Sequence, residues 1–278
     1  MNAEIRSPSN VADMVMPRLQ VIGGGKMGEA LLAGLVSGGW APSGELRIVE
    51  RLASRSEELA DRFPGVAVGD TVEPAEGHVL AVKPGDVEAA CRALAAAGRG
   101  APVLSIAAGV TVERLEAALA PGTAVVRAMP NTPALVGAGA AAVAPGSVAD
   151  DDDMAWAERI LGAVGQVVRV DESLLDAVTG LSGSGPAYVF LVVEAMIEGG
   201  VLAGLPRPVA TTLATQTLLG AARLLDESAE GPEALRAAVT SPGGTTAAGL
   251  RALESASVRS AFLDAIMAAT ERSRELGS

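Results

Sequence analysis

The sequence has few of the side chains that build metal centres and catalytic relays. Its 278 residues include one histidine, His78, one cysteine, Cys91, and only 2% aromatic residues. A transition-metal site needs several His or Cys ligands, and a Ser-His-Asp or Cys-His relay would have to use His78. A single cysteine forms no intramolecular disulfide, which favours a reducing cytoplasm. If the chain is an enzyme, we expect a cofactor to carry the chemistry, His78 to lie on the surface and Cys91 to be a small core residue.

Positive charge is also scarce, with 21 Lys and Arg against 33 Asp and Glu and a net charge of −12. Such a surface repels phosphates, so we expect no nucleic-acid partner. The apolar fraction is 49%, and the excess needs a membrane or a subunit interface. The longest uncharged stretch, 128–149, contains three prolines, which would break a spanning helix. We therefore expect no membrane span but a homo-oligomer, preceded by a disordered leader at 1–18.

From residue 19 to residue 170, short apolar runs alternate with helical patterns. This alternation predicts a parallel sheet with helices on both faces. We predict strands at 19–22, 46–49, 66–68, 79–82, 103–106, 124–127 and 166–170, and helices at 27–37, 54–62, 86–97, 112–120 and 154–164.

The remainder, 171–278, reads as almost entirely helical. One predicted helix, 185–203, is apolar all round, so a monomer could not keep it on its surface. We expect this helix to be buried between subunits. The other helices are predicted at 172–181, 206–227, 232–240, 246–255 and 258–276.

A G-x-G-x-x-G pattern stands where the first strand meets the first helix. Gly23 permits the tight turn, Gly25 lets the backbone approach a pyrophosphate, and Gly28 allows close packing of helix on strand. The phosphates would meet the amides of Lys26 and Met27 at the positive end of the helix dipole. The pattern at this junction predicts a dinucleotide site.

Two charged residues follow the second strand, where the adenosine ribose would lie. Glu50 would accept hydrogen bonds from the ribose 2′-OH of NAD, whereas Arg51 would bind the 2′-phosphate of NADP. Either residue is equally compatible with a solvated surface charge. The residues thus favour a nicotinamide dinucleotide without choosing between the two forms.

Three loops follow the carboxyl ends of later strands, at the edge where open α/β sheets bind ligands. Their small residues and prolines suit a close approach of backbone to cofactor, although ordinary loops have the same composition. The loops contain Val82, Lys83 and Pro84, then Ala107, Ala108 and Gly109, then Asn131 between two prolines.

Two polar segments interrupt the helical half, at 182–186 and 241–246. The second opens a predicted helix, so the backbone amides of Gly243, Gly244 and Thr245 are free to bind a carboxylate, and threonine hydroxyls can donate to a second atom. A helix-capping turn uses the same amides. The two interpretations are compatible.

Taken together, five segments resemble the pyrroline-5-carboxylate reductase family. They cover nearly the whole chain in order, and the last is the most specific to the family. The segments are Ile22-Gly23-Gly24-Gly25-Lys26-Met27-Gly28, Ala81-Val82-Lys83-Pro84, Met129-Pro130-Asn131-Thr132-Pro133, Gly183-Ser184-Gly185-Pro186-Ala187 and Ser241-Pro242-Gly243-Gly244-Thr245-Thr246-Ala247.

The resemblance implies a Rossmann-type dinucleotide-binding domain at 19–170 and a helical dimerisation and substrate-binding domain at 171–278. It implies reduction of the cyclic imine 1-pyrroline-5-carboxylate to L-proline with NADPH, or NADH as the alternative. It also implies an interlocked homodimer, in some members assembled into decamers. Ser241 and the loop after it would bind substrate. The proton on the imine nitrogen would come from Thr246 or, alternatively, from solvent before the substrate binds.

The chain departs from the family pattern at three places. Lys26 stands where Asn is common, Asp70 and Thr71 occupy a region that often carries Asn, and two alanines at 237–238 replace another Asn. The first change keeps the glycine geometry and adds a cation near the phosphates. The other two remove polar contacts on the cofactor side.

Two other functions compete with this interpretation. A reductase of the β-hydroxyacid dehydrogenase kind also joins a dinucleotide domain to a helical one, but it uses a lysine on the long helix, and 180–223 contains no lysine. A regulatory protein that senses dinucleotides without turnover would use the polar segments as helix caps alone.

Overall fold

The computed structural model describes residues 16–98 and 100–277, which form two compact units. The first runs to Val178 and includes the end of the chain from Arg274, and the second is Thr179–Ser273. The division lies at 178/179, whereas the sequence predicts a boundary at 170/171. Most of the predicted leader, 1–15, lies outside the described residues. Its last two residues are bonded to the first unit, since the Pro17 carbonyl accepts a hydrogen bond at 2.9 Å and the Arg18 N–H donates one at 2.8 Å.

The first unit is an eight-stranded sheet between two layers of helices. The strands follow the spatial order β3-β2-β1-β4-β5-β6-β7-β8. They are β1 Leu19–Ile22, β2 Leu46–Val49, β3 Ala67–Gly69, β4 His78–Leu80, β5 Val103–Ser105, β6 Val125–Pro130, β7 Gly139–Pro145 and β8 Gly165–Arg169. The α-helices are α1 Lys26–Ser37, α2 Ala53–Arg62, α3 Val87–Ala97, α4 Val112–Ala118, α5 Asp151–Gly162 and the short α6 Leu175–Val178.

The chain reverses its direction of winding between β1 and β4, which pair in parallel. From β1 it proceeds outward to β2 and β3, and from β4 it proceeds the other way. In open α/β sheets such a switch point creates a ligand crevice at the carboxyl ends of the strands. Apolar side chains pack against both faces of the sheet, with α1, α2 and α5 on one face and α3 and α4 on the other.

One strand departs from the predicted all-parallel sheet. β7 runs antiparallel to β6, with Ala128 opposite Val143, and β8 then pairs in parallel with β7. The sequence of β7 is mostly alanine, which lacks the branched side chains that signal a strand. Burial of this segment between β6 and β8 compensates for its weak propensity.

The histidine also lies elsewhere than expected. His78 is buried in β4, not on the surface, and its Nδ1 lies 3.2 Å from Nε2 of Gln20 on β1. Arg47 on β2 donates to Oε1 of the same glutamine at 3.2 Å and pairs with Glu73 at 2.7 Å. This chain of polar contacts lets the sheet bury polar groups near the amino ends of its strands. Burial lowers the pKa of His78 to about 4.

Cys91 is fully buried on α3, as predicted for a small core residue. Burial raises the pKa of its thiol to about 11. Since the thiolate is the reactive form, this side chain is suited to packing and not to nucleophilic chemistry.

The second unit is helical, as predicted, although the segment before its long helix differs. In place of one helix at 172–181, the chain forms a 3-10 turn at Glu172–Leu174, then α6, then a π-helical turn at Thr179–Gly183. The Ser184 N–H donates to the Thr179 carbonyl at 2.8 Å, the bond that defines this π turn. The helices are α7 Gly185–Leu202, α8 Arg207–Glu227, α9 Pro232–Ala238, α10 Thr245–Ser255 and α11 Val258–Gly277, whose last residues belong to the first unit.

Large apolar side chains are exposed along these helices. No residue of α7 is buried, and Leu191 is 65% exposed. By length and composition alone, the helical stretch Glu172–Leu202 could also cross a membrane. An apolar surface of this extent requires a partner surface.

Candidate functional site

The glycine loop joins β1 to α1 at the carboxyl edge of the sheet. Gly23 has φ +110°, and a Cβ added there would lie 2.6 Å from the backbone oxygen of Ala81. A Cβ on Gly28 would collide with the Gly23 carbonyl, whereas one on Gly25 would meet no atom within 4 Å. The turn and the helix packing therefore require the first and third glycines, and the second leaves an open approach.

The first turn of α1 offers backbone donors beside this opening. Within 16–98 and 100–277, no residue accepts a hydrogen bond from the N–H groups of Lys26, Met27 or Gly28. Free amides at the positive end of a helix dipole favour an anionic group. The loop therefore fits the pyrophosphate of a dinucleotide.

Glu50 does not present a free carboxylate to this site. Its Oε2 accepts the Gly24 N–H at 3.0 Å, and its Oε1 accepts the Leu52 N–H at 2.9 Å. The side chain therefore ties the end of β2 to the glycine loop. Arg51 behaves differently, since it is 72% exposed and its guanidinium lies 3.5 Å from Asp86. Of the two predicted ribose contacts, Arg51 is the more available to a ligand.

A charged cluster beside the loop escaped the sequence analysis. Arg55, in the first turn of α2, donates from Nε to the Gly24 carbonyl at 2.9 Å and from Nη1 to Glu58 at 2.8 Å, and it pairs with Glu29 of α1. Hydrogen bonds to Glu58 and Glu29 raise the pKa of the Arg55 guanidinium. Arg62 forms an ion pair with the other carboxylate oxygen of Glu29.

One signal could have revealed this cluster. Glu29 interrupts the apolar predicted helix 27–37 and is buried in the structure. A buried carboxylate requires a partner, and the next predicted helix, 54–62, carries two arginines that could supply it.

The loops after β4 and β5 lie at the same edge of the sheet. Val82 is half-buried, Lys83 and Pro84 are exposed, and the Lys83 carbonyl accepts the Asp86 N–H at 2.9 Å to start a 3-10 turn. The lysine side chain forms no ion pair within 16–98 and 100–277. Its ammonium is therefore open to solvent.

The loop after β5 meets the end of the chain. Ala107 is buried, Ala108 is exposed, and Gly109 has φ +73°. A Cβ on Gly109 would lie 3.5 Å from the Leu276 carbonyl, and one on Gly277 would lie 3.3 Å from the Gly109 carbonyl. The last turn of α11 thus packs on this loop, a contact that the sequence analysis did not foresee.

Asn131 directly follows β6 and is buried. Its Oδ1 accepts the Ala140 N–H at 2.8 Å, so the side chain closes the connection to β7. This hydrogen bond gives Asn131 a role in the fold beside the predicted role in cofactor binding.

The Ser241–Thr246 loop belongs to the second unit. The Gly244 N–H donates to the Ser241 carbonyl at 3.0 Å, Gly243 has φ +71°, and Gly244 caps α10. Thr245 and Thr246 form the first helical turn, and no described residue is hydrogen-bonded to either threonine hydroxyl. The Gly244 amide, predicted to be free, is therefore used within the loop. The amides of Gly243 and Thr245 and the two threonine hydroxyls are available to a small anionic substrate.

Two family models match the chain. The one described as pyrroline-5-carboxylate reductase dimerisation matches residues 172–276, and the one described as NADP oxidoreductase, coenzyme F420-dependent, matches residues 18–109. Among curated relatives, the pyrroline-5-carboxylate reductase of Synechocystis sp. is 46% identical over 263 residues, which cover 94% of this chain and 98% of the relative.

Solved structures agree in fold. The pyrroline-5-carboxylate reductase of Coxiella burnetii has a TM-score of 0.89 at 36% identity and covers 95% of this chain and 100% of its own. The Plasmodium falciparum pyrroline carboxylate reductase, solved with NADP bound, has a TM-score of 0.82 at 28% identity and covers 94% of this chain and 98% of its own.

The glycine loop with the first turn of α1, and the helical second unit, define the class of protein. It is an NAD(P)H-dependent oxidoreductase with a Rossmann-type domain and a helical dimerisation domain. High identity over nearly the full length narrows this class to one group. The chain belongs to the pyrroline-5-carboxylate reductase family. The match to a dimerisation domain indicates self-association and gives the exposed apolar helices of the second unit a protein partner.

Proposed function

We propose that the chain reduces the C=N bond of 1-pyrroline-5-carboxylate to L-proline, the last step of proline biosynthesis. The observation that carries this proposal is the 46% identity over 94% of the chain to a relative of that name. The two competing functions have no comparable support. Matches to other dehydrogenases, such as a prephenate dehydrogenase at 15% identity, reflect the fold alone.

The dinucleotide would bind to the domain at 19–170 with its pyrophosphate over the glycine loop. The free amides of α1 support this placement, and Lys26 adds a cation beside them. Arg51 would select a 2′-phosphate, which favours NADPH over NADH. The remaining contacts are proposed along the same edge of the sheet, at Gly23, Gly25, Met27, Gly28, Glu50, Val82, Lys83, Pro84, Ala107, Ala108, Gly109 and Asn131.

The substrate would bind to the domain at 171–278. The amides of Gly243 and Thr245 would hold its carboxylate beside Ser241, at the start of α10. Gly244 would shape the loop through its hydrogen bond to the Ser241 carbonyl. The Thr246 hydroxyl would donate to the ring nitrogen, since it forms no hydrogen bond with a described residue. A neutral hydroxyl suffices here, because an imine needs only one proton on nitrogen to become a good hydride acceptor.

The reaction then adds one hydride to the imine carbon and one proton to the nitrogen. The bound dinucleotide supplies the hydride when it is present. The protein's share is to bring the two reactants together and to orient one donor hydrogen bond. Neither step needs His78 or Cys91, both of which are buried in the core.

The helical domain would form an interlocked homodimer, with the apolar side chains of α7 covered by the partner copy. In such a dimer, the Ser241–Thr246 loop would complete the site of the neighbouring dinucleotide domain. We also propose that these dimers can assemble further into decamers. A chain with a single cysteine needs no oxidising compartment, so we place the enzyme in the cytoplasm.

Four assays test the proposed reaction. Oxidation of NADPH and of NADH is followed at 340 nm, roughly the absorbance maximum of the reduced nicotinamide, with 1-pyrroline-5-carboxylate and then with a six-membered cyclic imine. We expect the five-membered substrate with NADPH to give the highest kcat/KM. The absence of oxidation in all four mixtures would overturn the proposal, and binding of NADPH without turnover would support the sensing protein instead.

A further inference from the structure

We propose that Arg55 is a positioning residue for dinucleotide binding, which holds the backbone of the glycine loop and balances the charge of Glu29. The inference rests on the proposed function in one respect, that a phosphate group binds at the start of α1. It concerns a residue that makes no contact with the reacting atoms. Its effect reaches the cofactor through Gly24 and Glu29.

The backbone of Gly24 is hydrogen-bonded through both its N–H and its carbonyl. Its N–H donates to Glu50 at 3.0 Å, and its carbonyl accepts from Nε of Arg55 at 2.9 Å. Gly24 is buried between Gly23, which has φ +110°, and Gly25, which caps α1. Two side chains therefore hold the middle residue of the loop from both sides. Without Arg55, the carbonyl loses its partner, and the loop is free to shift by the few tenths of an ångström that phosphate binding senses.

The charge of Glu29 also bears on phosphate binding. Glu29 lies in the first turn of α1, beside the amides that face the phosphate, and it is only 9% exposed. A buried carboxylate there would repel a pyrophosphate, because the interior screens charge poorly. Two arginines oppose it: Arg55, whose side chain is 26% exposed, and Arg62, whose side chain is 63% exposed. The inner cation, Arg55, is thus the one whose charge the surroundings screen least.

The test compares Arg55→Gln with Arg62→Gln in the full-length protein. The readouts are the Kd for NADPH, from nicotinamide fluorescence without imine, and the kinetic constants. We expect Arg55→Gln to raise the Kd and KM for NADPH about tenfold or more, which corresponds to the loss of one charged hydrogen bond. We expect kcat and the KM for the imine to change less than about twofold, because those depend on other residues.

Arg62→Gln is the matched control. This variant removes a cation that also lies on α2 and also pairs with Glu29. Unlike Arg55, Arg62 is not hydrogen-bonded to Gly24. We expect its Kd to stay within about threefold of wild type. A loss in the melting temperature without a selective rise in the Kd and KM for NADPH would assign Arg55 to stability alone and would overturn the inference. Equal effects of the two variants would overturn it as well.

A second variant separates charge from geometry. In Arg55→Gln/Glu29→Gln the repelling carboxylate is gone, so we expect the Kd to return part of the way toward wild type. If the double variant binds NADPH as weakly as Arg55→Gln does, Arg55 does not act by balancing the charge of Glu29. If Arg55→Gln does not fold, Arg55→Lys keeps the charge without the planar fork, and an unchanged Kd in that variant would overturn the role of the Gly24 contact. Because Kd is measured without the imine, an inactive wild type would contradict the proposed function and leave this measurement intact.

Discussion

The two units use the same kind of apolar side chain in opposite ways. In the first unit, called the dinucleotide unit below, Leu104 and Ile160 are completely buried between the sheet and its helices. In the helical unit Phe190 is 63% and Leu191 is 65% exposed, and α7 contains no buried residue. The first set stabilises one chain on its own, whereas the second requires another chain. Apolar composition therefore encodes two events here, folding and association.

The two units also differ in where their polar groups lie. The dinucleotide unit buries a connected set of polar side chains, Gln20, Arg47 and His78, inside its sheet. The helical unit exposes its polar loop Ser241–Thr246 instead, with free amides at the start of α10. The buried polar side chains of the first unit's sheet serve its own packing, whereas the amides of Gly243 and Thr245 in this loop are available to a ligand.

The sharpest test of this difference places the same charge in each unit. Leu104→Asp buries a carboxylate in a dry core, which costs more than ~4 kcal/mol and leaves no stable first unit. Leu191→Asp should retain helical circular dichroism but raise the dissociation constant of the dimer at least about a hundredfold, because a two-fold symmetric interface contains the substitution twice. Light scattering and activity distinguish the two outcomes. Leu191→Met is the control, and a fully associated, fully active Leu191→Asp would break the comparison.

Next in size is the effect of removing the proposed proton donor. Thr246→Ala should lower kcat/KM about 10²- to 10⁴-fold, the usual contribution of a general acid. Thr246→Ser keeps the hydroxyl and should restore most of the rate. Steady-state kinetics with both substrates varied would measure this. A value within about twofold of wild type for Thr246→Ala would mean that solvent protonates the imine.

Two glycines separate folding from binding within one loop. Gly28→Ala places a Cβ against the Gly23 carbonyl, so both the melting temperature and NADPH affinity should fall, the affinity by about a hundredfold. Gly25→Ala meets no atom within 4 Å, so we expect a normal melting temperature with NADPH affinity lowered by about tenfold. Thermal unfolding with and without NADPH measures both effects. A destabilised Gly25→Ala would contradict the assignment of an open approach.

The smallest effect at neutral pH concerns His78. Burial lowers its pKa from 6.5 to about 4, so the unfolded chain binds the proton more readily than the folded one. The free energy of unfolding therefore falls as pH is lowered from about 6.5 towards 4, by up to ~3 kcal/mol, and is unaffected above pH 7. His78→Gln should flatten this part of the pH profile in urea titrations. Parallel profiles for the two proteins would show that His78 titrates normally.

Much of the fold was predictable from local pattern. β1, β2 and β5 follow short, continuous apolar runs, which are typical of buried strands. The long helices α7, α8 and α11 follow longer apolar segments, which are typical of helices. β7 was missed because its alanines carry no such signal, and its pairing with β6 and β8 is what makes it a strand. The burial of His78 was missed for a related reason, since its partners Gln20 and Arg47 come from other strands.

The site was predictable where one short segment carries it. The roles of Gly23 and Gly28 in the turn and in packing follow from spacing alone, and the geometry confirms both. Glu50 was predicted to face the ribose, but its carboxylate is bonded to two backbone amides. The contacts of Arg55 join residues far apart in sequence, and only the packing of α2 beside α1 brings them together.

The antiparallel strand has a consequence for the order of folding. β6 and β7 are neighbours joined by residues 131–138 without an α-helical crossover, and the bond from Ala140 to Asn131 closes their turn. Closing so short a loop costs less entropy than joining parallel strands across a helix. We expect this hairpin to be the first stable pairing during refolding, with the amides of Ala142 and Ala144, which face β6, protected in pulsed hydrogen exchange before that of Leu104. The segment with the weakest strand signal in the sequence would then be the nucleus on which the rest of the sheet assembles.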